Sequence, residues 1–293
     1  MTKQHAYAIL MLFPLGEFEK MKKFEGYDII GDIHGEYYML VELLEKLGYV
    51  LKDGVYSHPT RKVVFLGDFI DRGEYPILVL NLVKKMVERG SAVSIMGNHE
   101  FNAIMAYEGY RKLPKSDVHY PFYSDMKTNF PTFHKIYVEW FKTLPVCLDL
   151  GGMICVHACW DSNLYKEIKE KGLLDENNVI KEWVYKKYNN DASIRLPLKS
   201  MLKGKEEKLP DGVTLIDKDG NVRTNRRIPW WNTYDEGTLV ACGHYWLKAD
   251  APSVLSEKVV CVDYSAVKGG FLCAYRFNVG DTCVKGENFV TVS

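Results

Sequence analysis

The chain has no excess of either charge, since 38 Lys and Arg residues are matched by 38 Asp and Glu among 293 residues. Without a basic surplus there is no general electrostatic pull on nucleic acid or an anionic lipid surface, so any anionic ligand must be gripped by a local positive feature. Cysteine is present, but its seven residues form neither a CxxC pair nor an even framework. That excludes a disulfide scaffold and favours free thiols in a reducing, cytoplasmic compartment. Internal repeats, low-complexity tracts and apolar runs long enough to span a bilayer are also missing. The apolar run from Ala6 to Gly16 is too short to span, and it is followed by Glu17, Phe18, Glu19 and Lys20 rather than by a small-residue cleavage site. Neither a nucleic-acid nor a membrane partner is expected. Met21-Lys22-Lys23 directly precedes the first strand pattern, which makes Met21 an alternative start to Met1. Residues 1–24 therefore read as an N-terminal extension, and 25–293 as a single domain.

What is present is apolar patterning: 47% of the residues are hydrophobic, enough for a sizeable core. The first half alternates strand-like runs with helical spacing, the mark of βαβ units and a largely parallel sheet. Strands are expected at Tyr27 to Ile30, Lys62 to Leu66 and Ala92 to Met96, with helices over Glu36 to Leu47 and Tyr75 to Glu88. Gly48 and Gly90 stand where helix C-termini need them. An aromatic-rich helix is expected over Asn129 to Lys142, then strands near Val146 to Leu150 and Met153 to Val156. From 163 to 237 the pattern becomes more helical and charged, and reads as an insertion or cap, with turns at Lys203 to Lys208 and Asp217 to Gly220. Leu239 to Cys242, Val259 to Val262 and Phe271 to Phe277 resume strand character and should complete a second sheet.

Each of the first three strands runs into a glycine-containing loop: Gly31-Asp32-Ile33-His34-Gly35, Gly67-Asp68-Phe69-Ile70-Asp71-Arg72-Gly73 and Gly97-Asn98-His99-Glu100. Ligands of α/β sheets bind where loops leave the carboxyl ends of strands. Asp, His and Asn offer the oxygen and imidazole nitrogen donors that suit Mn, Fe, Zn and similar ions. One such loop alone would read as a turn or a helix cap. Three in series, each after a strand, point to a metal centre.

With those motifs in order, the chain resembles the calcineurin-like metallophosphoesterases, in the phosphoprotein phosphatase branch that carries GDxHG, GDxxDRG and GNHE. The histidines that such enzymes place after late strands are matched by Val156-His157-Ala158 and Gly243-His244-Tyr245. His157-Ala158-Cys159-Trp160 and Gly243-His244-Tyr245-Trp246 look like a bacterial group near the diadenosine tetraphosphatase-like members. The resemblance implies a four-layer α/β/β/α sandwich of two mixed sheets with flanking helices. It also implies two divalent ions per chain, with Mn preferred and Fe, Zn, Co or Ni as alternatives. Asp32 and His34 would hold one ion, Asn98, His157 and His244 the other, and Asp68 would bridge them. Two cations about 3.5–4 Å apart can share one water and bring its pKa towards neutrality for in-line attack on phosphorus. His99, steered by Asp71, would protonate the leaving group. Arg72 would clamp phosphate with its planar guanidinium, joined by Asn98 and a second arginine, Arg226 in preference to Arg227.

The implied activity is hydrolysis of phosphomonoesters, on a phosphoprotein or a small molecule. Hydrolysis of dinucleoside polyphosphates is the alternative, and a non-catalytic binding module a third reading that the intact donor set disfavours. Outside the motifs, His5, His58, His119 and His134 read as surface or core imidazoles without a catalytic role. Cys159 and Cys242 read as packing residues. Trp230-Trp231 and Tyr245-Trp246 read as core in preference to a stacking wall for a substrate ring.

Overall fold

The computed structural model describes residues 24–216 and 222–293. The first half contains β1 (Gly26–Ile30), α1 (Tyr37–Lys46), β2 (Val50–Lys52), β3 (Val55–Ser57), β4 (Arg61–Phe65), α2 (Pro76–Glu88), β5 (Ala92–Ser94), α3 (Asn98–Tyr107), α4 (Tyr120–Asn129) and α5 (Pro131–Phe141). Then come β6 (Cys147–Asp149), β7 (Met153–Val156), α6 (Ser162–Glu170), α7 (Glu182–Tyr188), α8 (Ala192–Lys203), β8 (Glu206–Lys208), β9 (Leu215–Ile216), β10 (Val222–Arg223) and β11 (Asn225–Arg227). The chain closes with β12 (Leu239–Cys242), β13 (Val259–Cys261), β14 (Asp263–Tyr264), β15 (Phe271–Asn278) and β16 (Phe289–Val292). Residues 1–23, including His5, the apolar run and Met21, and the expected turn at Asp217 to Gly220 lie outside the described residues.

Two mixed sheets result. One has the order β14-β15-β1-β4-β5, with β16 also paired to β15; β1, β4 and β5 run parallel and β15 antiparallel. The other has the order β13-β12-β7-β6, with only the β6–β7 pair antiparallel. Strand residues alternate between two cores, as a period of two requires. Ile29, Val64, Met153, Cys155, Leu239, Ala241, Val260 and Cys273 belong to the core shared by the two sheets. Their neighbours Ile30, Val63, Phe65, Val156, Val240 and Cys261 pack instead with helical residues such as Leu40, Val83, Val138 and Leu198. Both faces of the central strands β1, β7 and β12 are thus largely buried, which is why those strands read as short apolar runs. Two sheets face to face with helices outside form the α/β sandwich anticipated above.

Three sequence expectations need correction. Phe271 to Phe277 does not complete the second sheet; β15 lies beside β1 in the first, registered from Gly26 opposite Asn278 to Ile30 opposite Ala274. Antiparallel pairing leaves no periodicity by which a run declares its sheet. Asn98, His99 and Glu100 are not a loop but the first turn of α3, and Glu100 Oε2 accepts the Gly97 N–H at 3.1 Å. Lys203 to Lys208 is not wholly a turn, because Lys203 ends α8 and Glu206–Lys208 is β8, paired with β11. The hairpin β2–β3 and helix α4 had no sequence expectation at all; α4 buries only Phe122 and Met126, too few positions to show a period.

Candidate active site

All five expected donor segments leave the carboxyl ends of strands β1, β4, β5, β7 and β12 and meet over the shared edge of the two sheets. Asp32, His34, Asp68, Asn98, His157 and His244 are all buried. Their local backbone is unusual. Among the described residues nine non-glycine residues have positive φ, and His34, Asp68, Asp71, Arg72, His244 and Trp246 are six of them. Left-handed backbone costs a non-glycine residue about 1–2 kcal/mol, so the surrounding structure must hold these turns in place. Close approach needs glycine at two points. A Cβ on Gly97 would fall 2.3 Å from Asp68 Oδ1, and one on Gly243 would fall 2.3 Å from Asp32 Oδ1.

The imidazoles are oriented from outside the cluster. His34 Nδ1 donates to the Ile70 carbonyl at 2.8 Å and His157 Nδ1 to the Leu66 carbonyl at 2.7 Å, which fixes both tautomers and leaves the Nε2 lone pairs facing inward. Those Nε2 atoms lie 3.7 and 3.4 Å from Asp68 Oδ2, and His157 Nε2 lies 3.2 Å from Asn98 Oδ1. Asp68 Oδ1 accepts the His99 N–H at 2.9 Å, and both oxygens of Asp32 accept the His244 N–H at 3.2 Å. Burial and the carboxylates of Asp263 and Asp68 push the Asp32 carboxyl well above its usual range. Burial acts the same way on Asp68, but the imidazoles of His157, His99 and His34 outweigh it and hold that carboxyl well below its usual range.

These residues fit divalent ions. Two groups, Asp68 with His34, and Asp68 with His157 and His244, each gather their ligand atoms within 4.8 Å, and His99 falls within that distance of the first pair. They share Asp68. His34 Nε2 is buried and has no hydrogen-bond partner, an orphaned lone pair that a cation would satisfy. Repelling carboxylates together with inward nitrogen lone pairs constitute a dinuclear metal site of mixed oxygen and nitrogen donors.

Beside that cluster, His99 Nδ1 donates to Asp71 Oδ2 at 2.5 Å. Burial holds the His99 imidazole down at about 3, with His119 and His34 acting in the same sense, against the pull of Asp68 and Asp71. His119 belongs here too, contrary to its reading as a bystander. It is buried and its Nδ1 lies 2.6 Å from the same Asp71 oxygen. No motif marks it; it comes from the turn before α4, 48 residues along the chain from Asp71.

The donors open into a cavity of about 1360 Å³. Its wall includes Arg72, Arg111, Lys199, Lys203, Arg223 and Arg227, so a neutral chain does concentrate positive charge locally. The Arg72 guanidinium lies 4.5 Å above the Trp246 ring. Arg226 and Arg227 both reach the wall, but differ in setting. Both are exposed, but Arg226 is bound to Glu207, whereas Arg227 donates to the His244 carbonyl at 3.2 Å. Burial, with Arg111 and Lys199 alongside, holds the Lys203 ammonium down at about 8. Of the aromatic pairs, Tyr245 and Trp246 line the cavity, while Trp230 is buried with its Nε1 on the Ala158 carbonyl. Cys159 and Cys242 are buried thiols pushed up by that burial, Cys159 to about 12.

Comparison with known proteins agrees with this geometry. The family model for calcineurin-like phosphoesterases matches residues 27–265. A bis(5'-nucleosyl)-tetraphosphatase PrpE, asymmetrical, from Halalkalibacterium halodurans is 49% identical over 74 residues, 25% of this chain and 30% of that relative's length. One of the same description from a Geobacillus species is 27% identical over 270 residues, 85% of this chain and 89% of the relative. A cold-active protein-tyrosine phosphatase of Shewanella shares the fold, with a TM-score of 0.56 at 17% identity over 92% of this chain and 82% of that one.

Proposed function

The chain belongs to the calcineurin-like phosphoesterases and is a metal-dependent phosphohydrolase, and from that premise we propose that it hydrolyses the anhydride bonds of dinucleoside polyphosphates. The observation that carries this reading is the cationic wall. A single phosphate beside the donor cluster would engage Arg72, yet Lys203 and Arg227 line the same cavity, together with Arg111 and Lys199, which are paired to Asp117 and Glu206. At Lys203 burial, with Arg111 and Lys199, outweighs the carboxylates of Asp68 and Glu206, and phosphates in the cavity would relieve that penalty. The relatives named as bis(5'-nucleosyl)-tetraphosphatases support the same substrate class, so the polyphosphate reading takes precedence over the phosphomonoester one.

In this proposal Asp32 and His34 hold one divalent ion, Asn98, His157 and His244 the other, and Asp68 both, with Mn preferred. When bound, such a pair supplies Lewis-acid stabilisation of the phosphoryl group and lowers the pKa of an attacking water. Arg72 places its planar guanidinium against non-bridging oxygens, steadied by its cation–π contact with the Trp246 ring. Arg227 takes the role of second arginine, because its contact with the His244 carbonyl points it at the centre. His99 handles the proton of the leaving phosphate, with Asp71 setting its ring. The segment 163–237 acts as a cap on one catalytic domain, contributing Lys199, Lys203, Arg223 and Arg227 to the wall. A cytoplasmic setting accords with seven free cysteines, six of them buried. Among the described residues no helix is long and apolar enough to cross a membrane.

The test is a steady-state comparison of Mn-loaded protein on diadenosine tetraphosphate, a phosphopeptide and 4-nitrophenyl phosphate, with products separated chromatographically. The tetraphosphate should be preferred by orders of magnitude in kcat/KM, and Arg227→Ala should raise its KM more than Arg226→Ala does. Preference for the phosphopeptide would overturn the substrate assignment.

A further inference from the structure

Asp71 Oδ2 accepts two imidazole N–H groups at once, from His99 Nδ1 at 2.5 Å and from His119 Nδ1 at 2.6 Å. The two rings meet edge to face with centroids 4.4 Å apart. We propose that His119 is a positioning residue: through the shared oxygen of Asp71 it fixes the carboxylate that aims His99 at the leaving group. The proposal rests on the reading of His99 as the group that handles the leaving-group proton.

Asp71 needs such an anchor. Its own backbone is left-handed, with φ 69°, on a turn shared with Arg72, and its Oδ1 is buried without a hydrogen-bond partner. Nothing else among its described hydrogen bonds therefore sets the plane of its carboxylate. His119 is itself held on three sides. Its backbone N–H donates to Asp117 Oδ1 at 3.0 Å, and Asn102 Nδ2 lies 3.0 Å from its Nε2. Arg111 closes the ring, donating to Asn102 Oδ1 at 2.6 Å and to Asp117 Oδ2 at 2.8 Å. The directions agree throughout. Arg111 fixes the Asn102 oxygen, so the Asn102 amide N–H must face His119 Nε2. That nitrogen is then an acceptor, and the proton of His119 sits on Nδ1, facing Asp71. One tautomer satisfies every group, so the chain Arg111, Asn102, His119, Asp71, His99 delivers an oriented ring from the turn before α4 to the donor cluster. Burial works against the Asp71 carboxylate, but the hydrogen bonds from His119 and then His99 hold it down at about 2, so it stays an acceptor for both rings.

The experiment uses metal-loaded protein and two aryl substrates with the same phosphoryl group, 4-nitrophenyl phosphate and phenyl phosphate. The second has the more basic leaving group and depends more on proton delivery. His99→Ala is the reference, and should depress kcat on phenyl phosphate far more than on 4-nitrophenyl phosphate. His119→Ala should show the same leaving-group dependence, losing roughly ten-fold or more on phenyl phosphate and little on the nitro substrate, with KM and two ions per chain unchanged. His119→Asn, whose Nδ2 can occupy the place of the imidazole Nδ1, should restore much of the loss. In His99→Ala the further change His119→Ala should cost nothing more. If His99→Ala shows no leaving-group dependence, the reading of His99 itself has failed. If His99→Ala shows it and His119→Ala slows both substrates equally, the proposal for His119 is overturned. A third ion per chain lost on His119→Ala would also overturn it, making Asp71, His99 and His119 a metal site instead.

Discussion

Glu100 accepts the backbone N–H of Asp68 at 2.8 Å across the ends of two parallel strands. Its other oxygen accepts the Phe69 N–H at 2.9 Å, and the first also accepts Gly97 at 3.1 Å. One carboxylate from the first turn of α3 therefore pins the left-handed Asp68 turn to the Asn98 segment. Glu100→Ala would leave three buried N–H groups without acceptors, at about 1–3 kcal/mol each. Urea unfolding of metal-loaded protein should show a loss of about 3 kcal/mol or more. Glu100→Gln, which keeps one acceptor oxygen, should lose less. Equal losses for the two variants would show that the one acceptor oxygen Gln retains counts for nothing and that the full carboxylate is required.

The GNHE stretch also illustrates what the sequence can and cannot say. Asp32, Asp68, Asn98, His157 and His244 were legible because each follows an apolar strand run and carries a donor side chain, two local signals that coincide. Glu100 was visible only as part of a motif; its role depends on a helix starting at Asn98, where Gly97 offers no capping side chain to announce it. His119 was illegible. Its partners Asp71 and Asn102 lie 48 and 17 residues away, and nothing in Asp117-Val118-His119 differs from a surface turn. Likewise β15 was found as a strand, but its place beside β1 rests on long-range register that local periodicity does not encode.

The two glycines at the centre give a sharper test of packing. Ala at position 243 would set its Cβ 2.3 Å from Asp32 Oδ1, and at position 97 the same distance from Asp68 Oδ1. At Gly243 the element that must give is a carboxylate needed for ligation; at Gly97 the Cβ would also meet the Asp68 backbone nitrogen at 2.4 Å, so the Asp68 turn itself must shift. Gly243→Ala and Gly97→Ala should therefore weaken metal affinity by about ten-fold or more, read by metal titration. Gly237→Ala, whose Cβ would meet nothing within 4 Å, should bind normally. If all three variants bind alike, the close approach is not what these glycines serve.

Away from the centre, Asp28 joins three strands from a fully buried position. Its oxygens accept Arg61 Nε at 3.1 Å, Arg276 Nε at 3.0 Å and the Tyr49 hydroxyl at 3.0 Å. Arg61 continues to the carbonyls of Tyr27 and Phe277, at 2.9 and 3.0 Å. Removing one partner strands a buried charge, so Asp28→Ala should cost about 3–5 kcal/mol in equilibrium unfolding. The donors lie beyond the carboxyl end of β1, past Ile30, and none of them bonds to Asp28, so kcat per folded, metal-loaded molecule should hold. A stability loss of less than about 1 kcal/mol would place the network among surface-type ion pairs.

His134 supplies a pH dependence that does not involve the metal centre. It is 3% exposed, packed between Tyr107 and Tyr123, and its Nε2 has no hydrogen-bond partner. Burial, with Lys127 nearby, holds its imidazole down at about 4, against 6.5 when unperturbed. The native state then binds fewer protons than the unfolded chain between those values. Stability from this group is complete above about pH 6.5, declines as pH falls, and is fully lost below about pH 4. His134→Phe, which cannot be protonated, should change the unfolding free energy by a constant amount from pH 7 to 8. Relative to the wild type it should then gain stability steadily from pH 6.5 down to 4. Denaturant melts at half-unit intervals measure that difference directly, and a difference independent of pH would mean that His134 is protonated without penalty where it stands.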